Sequence, residues 1–305
     1  MPVNIPLQLP AIDLLKKEQI FVMDPSRATT QDIRPLKIAV LNLMPLKITT
    51  ETDIVRLLSN TPLQVELSFM KLQSHTSVHT SVAHMEAFYS TFQEMRDAKY
   101  DGLIITGAPV ELLPFEAVSY WSELQEIFDW SLTHVTSTLH ICWAAQAALY
   151  HHYGLAKQTL PTKCFGVYAH DKKDPYAPIF RGFDDQFFVP HSRHTEVASS
   201  AIVQHPALEL LSESPEAGAY MVMANEGRQF FVMGHAEYAP GTLDAEYQRD
   251  VAKDLATPIP CHYYPQDDPT LAPMVTWRAH AHLFYSNWLN YYVYQATPYN
   301  INEIQ

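Results

Sequence analysis

The sequence predicts an α/β fold, a mostly parallel sheet flanked by helices. Three features predict it. Between residues 37 and 153, short β-branched-rich apolar runs alternate with longer stretches of helical periodicity, the pattern of successive βαβ units. Beyond about residue 157 the apolar runs become short and strand-like, with polar turns between them, which adds strands to the same sheet or extends it with an antiparallel portion. No internal repeat, low-complexity tract or long linker divides the 305 residues. One domain over 36–305, behind an N-terminal arm at 1–35, is therefore expected.

The elements follow in order. The arm carries Pro2, Pro6, Pro10, Pro25 and Pro35 and reads as irregular chain with one short amphipathic turn at 12–17. The run 37–43, bounded by Pro35 and Pro45, predicts a buried strand. Thr49, Thr50 and Glu51 open a helix that puts Ile54, Leu57 and Leu58 on one face. A second strand is predicted at 63–70, a helix at 83–98, a third strand at 102–106 and a helix at 120–134. A fourth strand at 138–142 passes at once into a helix at 143–153, and Gly154 stands where a helix C-terminus favours a left-handed residue. The later runs 187–189, 219–224 and 229–234 predict strands, and 243–255 and 277–295 helices.

Composition narrows the partners. Apolar residues make up 47% and charged residues 17%, enough for a large core and too apolar for disorder. No stretch approaches the roughly 18 apolar residues of a membrane span, and the N-terminus lacks the basic start and apolar run of a signal peptide, so a cytoplasmic protein is expected. Twenty basic residues against 33 acidic ones give a net charge of −13, which argues against a surface that tracks nucleic-acid phosphates. A small anionic ligand needs only a few local cations. Three cysteines, Cys142, Cys164 and Cys261, cannot form a disulfide framework without leaving one over, and read as thiols.

In parallel sheets, ligands bind beyond the carboxyl ends of the strands. Cys142 ends the fourth predicted strand and sits on a strand-to-helix turn, where the helix dipole lowers a thiol pKa; read alone it is equally a small buried apolar residue. The N–H of Trp143 can serve as an oxyanion donor there. The third strand ends in Gly107-Ala108-Pro109, a turn whose N–H groups can supply a second donor, or a plain loop. The run 229–234 leads to His235-Ala236-Glu237. If this segment is extended, Glu237 points to the same side as His235 and can orient the imidazole beside a thiol. A lone His-x-Glu is weak, but these features each fall at the end of a separate predicted strand.

Longer blocks carry a specific resemblance: Arg34-Pro35-Leu36-Lys37, Leu41-Asn42-Leu43-Met44-Pro45, Gly107-Ala108-Pro109, Cys142-Trp143-Ala144-Ala145-Gln146, Pro190-His191-Ser192-Arg193, Gly234-His235-Ala236-Glu237-Tyr238, and 287–295. Across nearly its whole length the chain resembles the homoserine O-acyltransferase family of methionine biosynthesis, the succinyltransferase-like branch on a class I glutamine amidotransferase-like, flavodoxin-like fold. The resemblance implies ping-pong acyl transfer from an acyl-CoA, through a thioester on Cys142, to the hydroxyl of homoserine. His235 would be the base and Glu237 its orienting carboxylate, with the oxyanion held by the N–H groups of Trp143, Gly107 and Ala108. The family's acceptor contacts fall on Lys163, Ser192 and Arg249, although Arg249 read alone is a solvated helix residue. Cys142 is flanked by His140 and Ala144 instead of the amidotransferase elbow's glycines, which puts glutamine hydrolysis in doubt.

The resemblance makes Glu111 the residue that selects the donor: the family's corresponding position is glycine in enzymes that take succinyl-CoA and glutamate in those that take acetyl-CoA. Without the family, Glu111 reads as a helix-entry carboxylate near Pro114. With it, acetyl-CoA and L-homoserine are the expected substrates. Leu46 beside Lys47 departs from the lysine pair of succinylating relatives.

Other readings weigh less. The His-x-Glu followed by Pro260-Cys261 is reminiscent of zinc deaminases, but position 264 is tyrosine and a ligand is missing. The pairs His191/His194 and His280/His282 lack a third ligand at an informative spacing, so neither metal nor resident cofactor is expected. An amidotransferase-type thiol hydrolase would share the fold, and a non-catalytic relative would have lost the thiol. Serine and homoserine differ by one methylene, worth only about 1–3 kcal/mol in a pocket, and serine stays open as acceptor, as succinyl-CoA does as donor. The aromatic run at 288–294 fits a subunit interface, and hence a homodimer, as well as the interior.

Overall fold

The computed structural model describes residues 3–4, 8–17, 34–75, 79–298 and 300–304. Its centre is one large sheet. Strands β1 (Val3–Asn4), β2 (Leu36–Leu41), β3 (Val65–Lys71), β4 (Tyr89–Thr91), β5 (Tyr100–Ile105), β6 (Val135–Ile141), β7 (Gln158–Lys172), β8 (Gln186–Glu196), β9 (Leu208–Ser214), β10 (Gly218–Ala224) and β11 (Gln229–Val232) contribute to it. The order across the sheet is β1-β3-β2-β5-β6-β11-β10-β9-β7-β8, with β4 beside β3. From β1 to β11 the neighbours run parallel; from β11 through β10, β9 and β7 to β8 they run antiparallel. The mostly parallel α/β class expected from the sequence is what the chain adopts, with the antiparallel portion confined to one side.

The alternation of apolar residues explains why both faces are covered. In β2, Ile38 and Val40 enter one buried cluster, and Ala39 and Leu41 enter the other. Helices Lys47–Leu58 and Arg278–Asn287 cover the first face, and Trp121–His134 and Trp143–Tyr153 the second. The aromatic run forms a π-helix, Trp288–Tyr294. Trp288 is fully buried and its Nε1–H donates to Ser137 Oγ at 3.0 Å. Gly102 makes room for it: a Cβ there would stand 2.9 Å from the Trp288 ring. Trp288, Leu289, Tyr292 and Val293 of this run pack inside the chain, while Tyr294 is exposed.

Several sequence expectations shift. The helix expected at 83–98 is broken into Val82–Phe88 and Phe92–Met95 by β4, whose Ser90 and Thr91 pair with Met70 and Lys71. The long strand β7 was not expected, because Pro161, Lys163 and Gly166 interrupt its apolar pattern. The helix expected at 243–255 ends at Val251. In the N-terminal arm, β1 pairs with β3 and Leu9, Ala11 and Ile12 are buried in the core. The turn expected at 12–17 is part of the helix Ala11–Lys17, while 18–33 lie outside the described residues.

Candidate active site

Parallel register brings the chemistry together. Leu41 pairs with Ile105, Ile105 with His140, and Ile141 with Val232, so β2, β5, β6 and β11 all end at one edge of the sheet. Cys142 leaves β6 there, its N–H donating to Val232 O at 2.7 Å. Its φ is 52° and ψ −113°, left-handed backbone that a non-glycine residue adopts only when its surroundings enforce it. Beneath it, His140 is fully buried, donates from Nδ1 to Phe230 O at 2.9 Å and stacks on Phe231; burial depresses its pKa to about 3. A neutral structural histidine thus stands two residues before the thiol.

Trp143 is the first residue of the helix that follows, so its N–H has no carbonyl of that helix to donate to. The loop after β5 begins at Thr106, whose N–H is tied to Leu41 O at 3.1 Å. Gly107 lies against the elbow: a Cβ placed on it would stand 3.3 Å from Cys142 Cβ and 3.6 Å from His235 Cε1. Only a residue without a side chain leaves that space open.

β11 ends at Val232, and the chain then turns. The extended arrangement expected for 235–237 is not what forms: Tyr238 N–H donates to His235 O at 3.2 Å, and this tight turn brings Glu237 back to its histidine. Glu237 Oε1 lies 2.7 Å from His235 Nδ1. His235 N–H donates to Pro190 O at 2.8 Å, and its ring stacks on Tyr238 with centroids 4.2 Å apart. Burial opposes a charge on His235, but Cys142 and Glu237, by charge and hydrogen bonding, outweigh it and hold the imidazole well above its usual pKa.

A cavity of about 280 Å³ opens on Cys142 and His235, and Gly107, Ala108, Glu111, Lys163, Ser192 and Arg249 all line it. The sequence-predicted acceptor and specificity residues therefore share one space with the thiol. Trp143 is buried beside it, and Glu237 braces His235 from outside this cavity, where it lines another. The carboxylate of Glu111 is fixed, accepting a hydrogen bond from His194 N–H on β8 at 2.9 Å; its carbonyl and that of Leu113 accept from Lys157 Nζ.

Two carboxylates that sequence reasoning missed complete the wall. Glu246 accepts from Ser192 Oγ at 2.5 Å and from Tyr238 OH at 3.0 Å. Asp250 accepts from Arg249 Nε at 2.7 Å. Lys163 Nζ stands 3.8 Å from Glu246 and 3.5 Å from Asp250, over the ring of Phe165. Burial works against a charged Asp250, but Arg249 and Lys163 outweigh it and lower its pKa. The available signal was the spacing Glu246-x-x-Arg249 on one helix face, which without a known neighbour reads as a solvated face. All three cysteines are free thiols. Among the described residues, the one trio placed to hold a metal is Asp129, His151 and His152, none of them in this cavity.

The parallel sheet with this cysteine elbow at its carboxyl edge is the class I glutamine amidotransferase-like fold. Solved structures share the fold at low identity: a glutamine amidotransferase from Thermotoga maritima is 12% identical, covers 84% of this chain and 98% of its own, and has a TM-score of 0.52. One from Methylobacillus flagellatus is 11% identical over 85% of this chain and 95% of its own, with a TM-score of 0.52. The sequence model of the homoserine O-succinyltransferase family matches residues 2–299. Curated relatives called homoserine O-acetyltransferase include those of Bacteroides thetaiotaomicron, 65% identical over all of both chains. Those of Brevibacillus brevis, 59% identical over 99% of each chain, and Clostridium novyi, 56% identical over 98% of this chain and 99% of that one, bear the same name. The chain belongs to the homoserine O-succinyltransferase family of acyltransferases.

Proposed function

We propose that the protein is a homoserine O-acetyltransferase that moves acetyl from acetyl-CoA to the hydroxyl of L-homoserine through a thioester on Cys142, an early step of methionine biosynthesis. The observation that carries the reading is the shared cavity of Cys142, His235 and Glu111, with His235 braced at 2.7 Å by Glu237. In the first half-reaction the Cys142 thiolate attacks the acetyl carbonyl. The C–S bond to CoA breaks, and the departing thiolate takes the proton held by His235. One thioester replaces another, so this step is close to isoenergetic. In the second, His235 accepts the proton of the acceptor hydroxyl as its oxygen attacks the Cys142 thioester, and the cysteine thiolate leaves. The N–H groups of Trp143 and of the Gly107–Ala108 loop hold each tetrahedral oxyanion; losing one such donor costs about 3–4 kcal/mol.

The acceptor's head meets the charged wall. Glu246 and Asp250 match an α-ammonium. Arg249 uses its Nε and Nη2 on Asp250, so an α-carboxylate would use the guanidinium edge that includes Nη1. Lys163, between the two carboxylates, keeps the wall from being purely acidic, and Ser192 is oriented by Glu246. Glu111 selects the donor. A succinyl carboxylate brought to about 4 Å of it, at an effective dielectric near 20, is repelled by roughly 4 kcal/mol.

The test compares acetyl-CoA and succinyl-CoA, each with homoserine and with serine. The reading requires acetyl-CoA with homoserine to give the highest kcat/KM. Preference for succinyl-CoA would overturn the donor assignment, and preference for serine the acceptor. Release of ammonia from glutamine would point instead to an amidotransferase.

A further inference from the structure

A second, larger cavity of about 740 Å³ lies behind the His–Glu pair, and nothing in the reaction above uses it. Its walls are the C-terminal end of helix Lys47–Leu58, the turn at 236–240 and the first turns of helix Arg278–Asn287. Tyr238 lines this cavity and the catalytic one alike, so the two meet at the ring that stacks on His235.

Among the described residues that line it, one guanidinium has no carboxylate beside it. Glu237 faces the cavity, but its charge is matched by His235. Arg56 pairs with Asp53 at 2.8 Å. Arg278 and His282, four residues apart and so on one helix face, have no carboxylate partner among the described residues, and both line the cavity. Nδ1 of His282 is buried without a hydrogen-bond partner. Burial, followed by the guanidiniums of Arg278 and Arg56, lowers the pKa of this histidine. The helix that carries both residues starts with no side-chain cap and no acidic residue in its first turn, leaving N–H groups and a positive dipole end unanswered. An exposed guanidinium with no carboxylate partner among the described residues, a neutral imidazole one turn on and a helix start around one cavity are what an anion would complete.

We propose that this cavity binds a phosphate group of a small ligand, with Arg278 and His282 as its principal contacts and Arg56 beside them. Two sources share that chemistry. One is the adenosine 3′,5′-bisphosphate tail of the acyl donor, and this source rests on the acetyl-CoA reading above; the other is a separate phosphorylated effector bound behind Glu237. The volume lies within the usual range of small-molecule sites. The apolar surfaces of Trp277 and Pro240 on the same walls suit a ligand with an organic part.

Calorimetric titration of the full chain with adenosine 3′,5′-bisphosphate and with inorganic pyrophosphate tests the site. Both should bind, more weakly at high salt. Arg278→Gln and His282→Gln should each weaken binding about tenfold or more, and Arg278→Lys should retain most of it. If the donor's tail is the ligand, Arg278→Gln also raises KM for acetyl-CoA while leaving kcat and the reaction with S-acetylpantetheine unchanged. If acetyl-CoA kinetics are unmoved while probe binding is lost, the ligand is a separate effector. Failure of both probes to bind at submillimolar concentration, or equal binding by both Gln variants and wild type, overturns the proposal. Should neither acetyl donor react with Cys142, the acyl-transfer reading fails, yet the titrations still decide this site.

Discussion

Oε1 of Glu237 stands 2.7 Å from Nδ1 of His235, across a turn that the chain makes immediately after β11. This contact fixes which ring nitrogen carries the hydrogen, and leaves the other free to face the thiol. Glu237→Gln should therefore keep the fold and lower kcat by about 10³- to 10⁴-fold, the scale seen when a triad carboxylate is made neutral. The pH profile gives a second readout. Burial pulls the His235 pKa down, and Cys142 and Glu237 together hold it up. The reactive thiolate–imidazolium pair is lost when pH rises through that raised value. Removing the charge of Glu237 lowers it, so the alkaline limb of kcat/KM for acetyl-CoA should move to lower pH. An unmoved or upward-shifted limb would contradict the assignment.

Glu111 is anchored by His194 N–H at 2.9 Å, so its charge occupies a defined place on the cavity wall. Glu111→Gly should raise kcat/KM with succinyl-CoA relative to acetyl-CoA, with a ceiling on the order of a thousandfold from about 4 kcal/mol of relieved repulsion. Glu111→Gln keeps the bulk and removes the charge. It should recover part of that change, and steady-state kinetics with both donors separate the two contributions.

Gly107 is the point where the loop after β5, the elbow and the histidine meet. A methyl group there falls 3.3 Å from Cys142 Cβ, a contact the neighbours must open to accept. Gly107→Ala should lower kcat by about tenfold or more by displacing the N–H groups proposed as oxyanion donors. The thermal midpoint should change by only a few degrees, because the glycine is not held in left-handed backbone. A large loss of stability with normal kcat per folded molecule would show that the residue matters to the fold alone.

Much of this site was legible because strand ends are. Cys142, the Gly107 loop and His235 each follow an apolar run, and parallel pairing of β5, β6 and β11 converts those three separate positions into one edge. The geometry of 235–237 was misread because period-two alternation was extended past Val232, where a turn does the work. Lys163 and Ser192 come from β7 and β8, long antiparallel strands whose proline, glycine and charged residues hide their periodicity. Glu246 and Asp250 looked like solvent-facing helix residues. Their role in the wall comes from Ser192, Tyr238, Lys163 and Arg249, partners that sequence spacing does not reveal.

The central claim is that the sulfur of Cys142 carries the acyl group, and intact-protein and peptide mass spectrometry after mixing with acetyl-CoA in the absence of acceptor tests it most directly. One acetyl group should appear on the peptide containing Cys142, vanish when homoserine is added with O-acetylhomoserine formed in equal amount, and fail to appear in Cys142→Ala. An unmodified Cys142 during full turnover, or full turnover by Cys142→Ala, would contradict the account.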